Sequence, residues 1–172
     1  MNCVKQIADF KKVLPWLLCL TLLSACGFQL RGAYQLPEAM HTTYVAASKS
    51  NSSLVKSLKR NLKLNNITLL NEKSDDAAVL RINSENKRKR IVSVDSKGRA
   101  REYSLIYEIN FSVKNSLQNF ELDDQSISIN RDFLFDTEDV LGNAKGEAQL
   151  YSEMQEDLVR LVLLRLQSRA HK

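Results

Sequence analysis

Histidine and glycine are scarce in this chain of 172 residues, which contains two histidines and five glycines. His41 lies in a segment without hydrophobic periodicity and His171 lies next to the C-terminus. Neither imidazole is therefore held in a rigid element, as a nucleophilic site or a metal site requires. None of the glycines falls in a GxGxxG or GxxxxGK pattern, which phosphate-binding loops need. These absences argue against an enzyme.

Long apolar runs are also missing. The hydrophobic stretch Val13–Leu23 has eleven residues, well below the roughly 18 to 20 that a helix needs to cross a bilayer. Basic residues precede this stretch, and Leu23-Ser24-Ala25-Cys26 follows it. A basic region, a short apolar region and small residues before a cysteine resemble a bacterial lipobox. We therefore predict that residues 1–25 are a cleaved lipoprotein signal peptide and that Cys26 receives the lipid.

Cysteine is rare as well. Cys3 and Cys19 leave with the signal peptide, so the mature chain keeps only Cys26, and no disulfide framework or cysteine-based metal site is expected. We expect no cofactor other than the covalent N-acyl and S-diacylglycerol lipid on Cys26. The residue after this cysteine is Gly27 and not the aspartate typical of inner-membrane retention, which predicts the outer membrane.

The remaining composition is that of an ordinary globular chain. Hydrophobic residues make up 44% and charged residues 26%, and the length is typical of one domain. We predict an acylated N-terminal tether over residues 26–42 and a single domain over residues 43–172. The net charge of +5 permits contact with an anionic partner but does not identify one.

The first half of this domain contains a strand, a helix and a second strand. The run Thr43–Ala47 is β-prone, and residues 48–53 are rich in helix N-cap residues. From Leu54 to Leu64, apolar residues recur at helical spacing while lysine and arginine occupy the other face. Asn65-Asn66 is predicted to end this helix, because asparagine tolerates the left-handed conformation. Residues 67–70 form a short predicted strand.

Two long strands are predicted next, Val79–Val94 and a strand around residues 103–113. Asp95-Ser96-Lys97-Gly98 has the chemistry of a turn between them. The second strand alternates apolar and polar residues, which is the pattern of a half-buried strand. A last strand over residues 127–135 is expected after a polar connection at Asp123-Asp124-Gln125.

A loop over residues 136–146 is predicted to lead into a C-terminal amphipathic helix from about Glu147 to Ser168. Its expected apolar stripe comprises Leu150, Tyr151, Met154, Leu158, Leu161, Val162 and Leu166. The order is therefore β-α-β-β-β-β-α. It predicts an α+β fold in which two amphipathic helices pack on one face of a mostly antiparallel, four- to five-stranded sheet.

Several short motifs are spread over the chain after the lipobox. They are the mature N-terminus Cys26-Gly27-Phe28-Gln29-Leu30-Arg31-Gly32, residues 54–70, Gly98 with Glu102-Tyr103, residues 131–135 and Asn143-Ala144-Lys145. Together these motifs resemble the LptE family of lipopolysaccharide-assembly lipoproteins. The resemblance implies an outer-membrane lipoprotein, on the periplasmic side and in the barrel lumen, that plugs and stabilises the LptD β-barrel. It also implies binding of lipopolysaccharide during its assembly at the cell surface.

The resemblance further implies two basic residues that contact lipopolysaccharide, one in the central hairpin turn and one before the last helix. Lys145 matches the second position. The family's arginine at the first position falls on Ser96 here, so the adjacent Lys97 is the candidate.

Other functions remain open at this point. The run Lys87–Arg90 could bind nucleic acid or anionic lipid, or could serve as a charged strand face that aids solubility. Export argues against nucleic acid. A further alternative is an outer-membrane lipoprotein that acts as an auxiliary subunit of an exporter.

Overall fold

A computed structural model describes residues 34–136 and 138–170. The predicted signal peptide and the lipidation residue Cys26 lie outside the described residues. Within them, a single sheet is flanked by two α-helices, and a turn of 3-10 helix precedes the first strand. The elements are the 3-10 turn Glu38–Met40, strands β1 (Thr42–Ala47), β2 (Thr68–Leu70), β3 (Ala78–Val94), β4 (Ala100–Asn115) and β5 (Phe120–Leu134), and helices α1 (Ser53–Leu64) and α2 (Val140–Gln167).

The strand order in the sheet is β2-β1-β3-β4-β5. Strand β1 runs parallel to both β2 and β3. A parallel pair needs a crossover connection, and helix α1 provides the one between β1 and β2. Strands β3, β4 and β5 form an antiparallel meander. The predicted α+β class is confirmed, with a sheet that is mixed and antiparallel along its longer strands.

Local chemistry accounts for both ends of α1. The Ser52 hydroxyl accepts a hydrogen bond of 3.1 Å from the Val55 N–H, which caps the helix N-terminus. At the other end Asn66 adopts a left-handed φ of 62°. The prediction that Asn65-Asn66 ends this helix is therefore confirmed.

The core lies between the sheet and both helices. Alternate residues of β4 are at most 1% exposed, and α1 and α2 cover them with leucine, valine and methionine side chains in one cluster. These β4 residues are Leu105, Tyr107, Ile109, Phe111 and Val113. Met40, just before β1, is also fully buried. Burial of each large apolar side chain stabilises the fold by about 1.5–3 kcal/mol.

The predicted start of the last strand is wrong. Strand β5 begins at Phe120, so Asp123-Asp124-Gln125 lies inside the strand, next to a register shift opposite Phe111 and Val113. The chain reverses earlier, in residues 116–119, where Asn119 adopts a φ of 49°. Acidic residues are tolerated within β5 because it is an edge strand and these side chains reach water.

The predicted start of the last helix is also wrong. Helix α2 begins at Val140, seven residues before the predicted start, and Asp139 caps it by accepting a 2.8 Å hydrogen bond from the Gly142 N–H. Low helix propensity at Gly142 and Gly146 favoured a loop in the sequence. Gly146 has a packing role, because an added Cβ would lie 3.2 Å from the Phe133 ring.

The inward stripe of α2 also differs from the predicted one. Leu161 is only half-buried, whereas Val159 and Leu163 are buried beside Leu158 and Val162. The stripe is wider than a single row because α2 contacts both the sheet and α1.

Candidate functional site

Positive charge is concentrated at one end of the sheet, where β3 and β4 form their hairpin. Residues 86–103, here called the basic end, contain seven lysines and arginines and two acidic residues, a net charge of +5. The other described residues contain 13 basic and 17 acidic side chains, a net charge of −4. A field of this polarity attracts an anionic partner to the hairpin and not to the opposite end of the sheet.

The hairpin turn is organised by the carboxylate of Asp95. It accepts hydrogen bonds from the backbone N–H groups of Lys97 (2.8 Å) and Arg99 (2.9 Å), and it pairs with the Arg99 Nε at 2.7 Å. These contacts, led by the Arg99 N–H, hold the pKa of Asp95 below its usual value. Gly98 adopts a φ of 75°, which glycine accommodates without strain. The predicted turn is confirmed, and it leaves the Lys97 side chain exposed at the apex.

The basic run of β3 divides between the two faces of the sheet. Lys87 and Lys89 pair with Tyr107 and Leu105 of β4, which belong to the helix-covered face. Arg88 and Arg90 alternate to the opposite face. The run therefore does not form one continuous basic stripe, which is the footprint expected of a nucleic-acid surface.

Lys87 lies over two tyrosine rings. Its Nζ is 4.6 Å from the ring centroid of Tyr107 and 5.1 Å from that of Tyr151 in α2. The Tyr107 hydroxyl donates a 2.6 Å hydrogen bond to Glu85. Burial, followed by this carboxylate, raises the pKa of Tyr107, so its hydroxyl stays neutral and continues to donate. This cluster attaches α2 to the hairpin.

Lys89 makes a second attachment of the same kind. Its Nζ lies 4.2 Å from the ring centroid of Tyr103, and it forms an ion pair with Glu147 of α2. Cation–π contacts at exposed sites contribute about 0.5–1 kcal/mol each. The lysines of the basic run thus have partners within the chain, which sequence reasoning missed because Tyr151 and Glu147 are about 60 residues away along the chain.

Lys145 lies in the second turn of α2 and not in a loop before it. Its neighbour Gly146 packs against Phe133, which pairs with Tyr103 of β4. Tyr103 is three strand residues from the start of β4 at Ala100, about 10 Å along the strand. The structure therefore brings Lys97 and Lys145 to the same end of the molecule.

Both lysines are exposed. Within residues 34–136 and 138–170, neither ammonium group makes a hydrogen bond or an ion pair, in contrast to Lys89. The same holds for the guanidinium groups of Arg90 and Arg101 in the described part of the chain. These four cations are available to an external anion.

No helix in the described residues is both long enough and apolar enough to span a membrane. A five-stranded mixed sheet with two helices on one face places the chain in the class of small α+β domains. It is similar to the crystal structure of rare lipoprotein B from Shewanella oneidensis, with a TM-score of 0.66 and 26% identity over 74% of this chain and 95% of that chain. It is also similar to the solution structure of lipoprotein B from Nitrosomonas europaea, with a TM-score of 0.63 and 30% identity over 80% and 88%.

A family model described as LptE: Lipopolysaccharide-assembly matches residues 40–166. The chain belongs to this family. The LPS-assembly lipoprotein LptE of Photorhabdus laumondii is 35% identical over 104 residues, which are 59% of this chain and 57% of that protein. The protein of the same name from Yersinia pestis is 30% identical over 105 residues, 59% of this chain and 51% of that protein. The chain therefore matches little more than half of the length of these relatives.

Proposed function

We infer that this chain is an outer-membrane lipoprotein, anchored through lipid on Cys26, that plugs and stabilises the LptD β-barrel and binds lipopolysaccharide during its assembly at the cell surface. Membership of the LptE family supports a role in lipopolysaccharide assembly. The observation that carries the binding proposal is the basic end, with Lys97 and Lys145 exposed at the same end of the molecule.

The chemistry of the ligand matches this end. Lipopolysaccharide presents phosphates and acidic sugars, and lysine and arginine bind phosphate through charge-assisted hydrogen bonds. Each such bond contributes about 1.5–3 kcal/mol. Arg90 and Arg101 add to the positive charge at this end of the sheet, so a ligand with several anionic groups can contact more than one cation.

The sheet face opposite the helices supports the plug proposal. Along β3, β4 and β5 this face carries mostly polar residues, among them Arg81, Asn110, Ser112, Ser126, Ser128 and Asn130. The Asn83 amide of β3 joins three strands by donating hydrogen bonds to Asn110 of β4 (2.7 Å) and Asp124 of β5 (2.8 Å). A polar, hydrogen-bonding surface of this kind suits the polar interior of an outer-membrane barrel.

The test is affinity purification of the tagged full chain from outer membranes in mild detergent, followed by identification of the bound proteins. We expect a large β-barrel to co-purify in a stable complex. Recovery of an ATPase or an inner-membrane complex without a barrel would contradict the proposal and favour an exporter subunit. A sample in which Cys26 is replaced by alanine provides the control for membrane attachment.

A further inference from the structure

Exposed apolar side chains are concentrated at the same end as the positive charge. Of the eight large hydrophobic residues that are exposed in the described part of the chain, six lie where β3 and β5 end and α2 begins. We call these six residues the apolar rim: Ile91, Val92, Val94, Leu134, Val140 and Leu141, each 50–85% exposed. The strand register divides them between the two faces of the sheet, since Ile91 pairs with Tyr103 and Leu134 pairs with Glu102, the preceding residue of β4. Exposed apolar side chains gathered at one end of a small domain are a candidate binding surface.

Two members of the rim continue the inward-facing rows of the core. Ile91 pairs with Tyr103 on the helix-covered face of the sheet, yet it is 57% exposed. Val140 precedes Glu147 by two helical turns on the same side of α2, yet it is 64% exposed. The core face therefore extends beyond the core, and no described segment of the chain covers it.

Three aromatic rings lie next to this exposed part of the core face, and the Lys89 Nζ lies over them, 4.2 Å from the ring centroid of Tyr103, 6.0 Å from that of Phe133 and 5.9 Å from that of Phe135. Tyr103 and Phe135 pack edge to face with ring centroids 5.6 Å apart, and Phe133 lies beside Gly146. All three rings are half-buried. Next to them is a shallow cleft of 420 Å³, lined by Asp95, Ala100, Arg101, Leu134, Phe135 and Asp136.

Charge around the rim indicates what covers it. Arg90, Arg101 and Lys145 border it without ion pairs in the described residues. The α2 side of the rim carries the carboxylates of Asp132, Asp136, Glu138 and Asp139, of which Asp136 accepts the Glu138 N–H (2.9 Å) and Asp139 caps α2. The positive charge therefore lies on the hairpin side of the rim, where the basic end has a net charge of +5. An apolar surface beside a hairpin of this charge is complementary to an anionic amphiphile, whose phosphates meet the cations while its chains cover the exposed apolar side chains.

We propose that the apolar rim is an acyl-chain subsite, on which fatty chains of the phosphorylated glycolipid lie while Lys97, Lys145 and their neighbours hold its phosphates. This inference rests on the proposed function, because it assigns a second part of the same ligand to the same end of the molecule. The acyl-chain subsite goes beyond the proposed function, because the protein would then bind the lipid chains of the glycolipid as well as its anionic groups.

The first test compares two ligands on the full lipidated chain held in nanodiscs: intact lipopolysaccharide and lipopolysaccharide stripped of its ester-linked chains. We expect the wild type to bind the intact form at least fivefold more tightly. Ile91→Thr combined with Val140→Thr should reduce that preference at least threefold while affinity for the stripped form stays the same. Both substitutions keep a β-branched side chain at exposed positions, so the melting temperature should not change.

The outcomes separate the two proposals. If the wild type binds neither ligand, the proposed lipopolysaccharide binding itself is wrong. If it binds both forms equally, or if the double variant keeps the full preference, the glycolipid binds through its anionic groups alone and the acyl-chain subsite is overturned. The matched control is Leu117→Thr, which changes a side chain that is 69% exposed at the opposite end of the sheet, and it should leave the preference intact.

The second test is photo-crosslinking in cells, with a benzophenone amino acid at Ile91 or Val140 and, separately, at Leu64 or Leu117. We expect lipopolysaccharide adducts at the first two positions and none at the last two. Adducts at Ile91 and Val140 that contain only protein would overturn the proposal, since they would show that a polypeptide covers the rim.

Discussion

Lys89 of β3 and Glu147 of α2 form an ion pair with 2.5 Å between Nζ and Oε2, although 58 residues separate them along the chain. Their side chains are 31% and 27% exposed, so the pair is partly shielded from water. Together with the contact of Lys87 with Tyr151, it holds the first half of α2 against the basic end. The position of Lys145 relative to the hairpin depends on this attachment.

A double-mutant cycle on Lys89→Met and Glu147→Gln should therefore give a favourable coupling energy. We expect about 0.5–1 kcal/mol at low salt, typical of a well-oriented ion pair near the surface, and a smaller value at high salt. Urea unfolding of the four proteins measures it. A coupling of zero at low salt would contradict the geometry described here. The pair Lys114 and Glu121, whose side chains are 61% and 56% exposed, provides a comparison that should couple more weakly.

Reversing the charge of both candidate ligand-binding lysines should weaken binding of lipopolysaccharide without unfolding the chain. For Lys97→Asp with Lys145→Asp we expect at least tenfold weaker binding, a normal melting temperature and continued assembly with the barrel, because both side chains are exposed. The loss should shrink at high salt. Lys56→Asp with Lys73→Asp, two exposed lysines away from the hairpin, should have little effect. Unchanged binding in a folded Lys97 and Lys145 variant would move the site to the cations of β3.

Replacing a buried leucine by aspartate should abolish cooperative unfolding. Leu58 of α1 and Leu158 of α2 are at most 1% exposed, and an aspartate at either place would bury an unpaired carboxylate at a cost of several kcal/mol. Leu161→Asp on the same helix is the matched control. Because Leu161 is half-buried, this variant should still melt cooperatively, at a lower temperature. Thermal unfolding followed by circular dichroism distinguishes the two results.

Acid should remove the contribution of Asp157 to stability. Its carboxylate pairs with Arg160 (2.9 Å) and Arg131 (2.8 Å), and these hydrogen bonds, led by that of Arg160, lower its pKa from 3.8. A lowered pKa in the folded state means that the stabilisation is fully present above pH 3.8 and is lost as the pH falls through the lower value. At pH 7 we expect Asp157→Asn to be less stable by about 0.5–1 kcal/mol. The difference between variant and wild type should disappear well below pH 3.8; a constant difference would contradict this assignment.

Cys26 is predicted to be the membrane anchor. Each buried CH₂ group contributes about 0.8 kcal/mol, and stable attachment needs more than one acyl chain, which the predicted modification supplies. Cys26→Ala should therefore block cleavage and acylation. Intact-mass measurement of the wild type should show a chain that begins at a lipid-modified Cys26, and an unmodified cysteine would rule out the lipobox assignment.

Structural features that depend only on residues close together in the sequence could be predicted from the sequence alone. The Asp95 to Gly98 turn, the left-handed Asn66 and the alternating burial of β4 follow from side chains that act on their own backbone or on a regular period of two. The composition and the spacing of apolar residues were likewise sufficient to predict an α+β fold with two helices. The lipobox is a local motif too; it remains a prediction, because it lies outside the described residues.

Only the tertiary structure decided what distant segments do to one another. The packing of Gly146 against Phe133 and the place of β5 at the edge of the sheet both depend on segments that are not neighbours in the sequence. The basic end also depends on segments that are distant in the sequence. The run Lys87–Arg90 reads as a single cluster in sequence, but the pleat sends alternate residues to opposite faces, and α2 then supplies partners for Lys87 and Lys89. Lys97 and Lys145 remain exposed because their elements end beyond the core, where no described part of the chain can reach their charges.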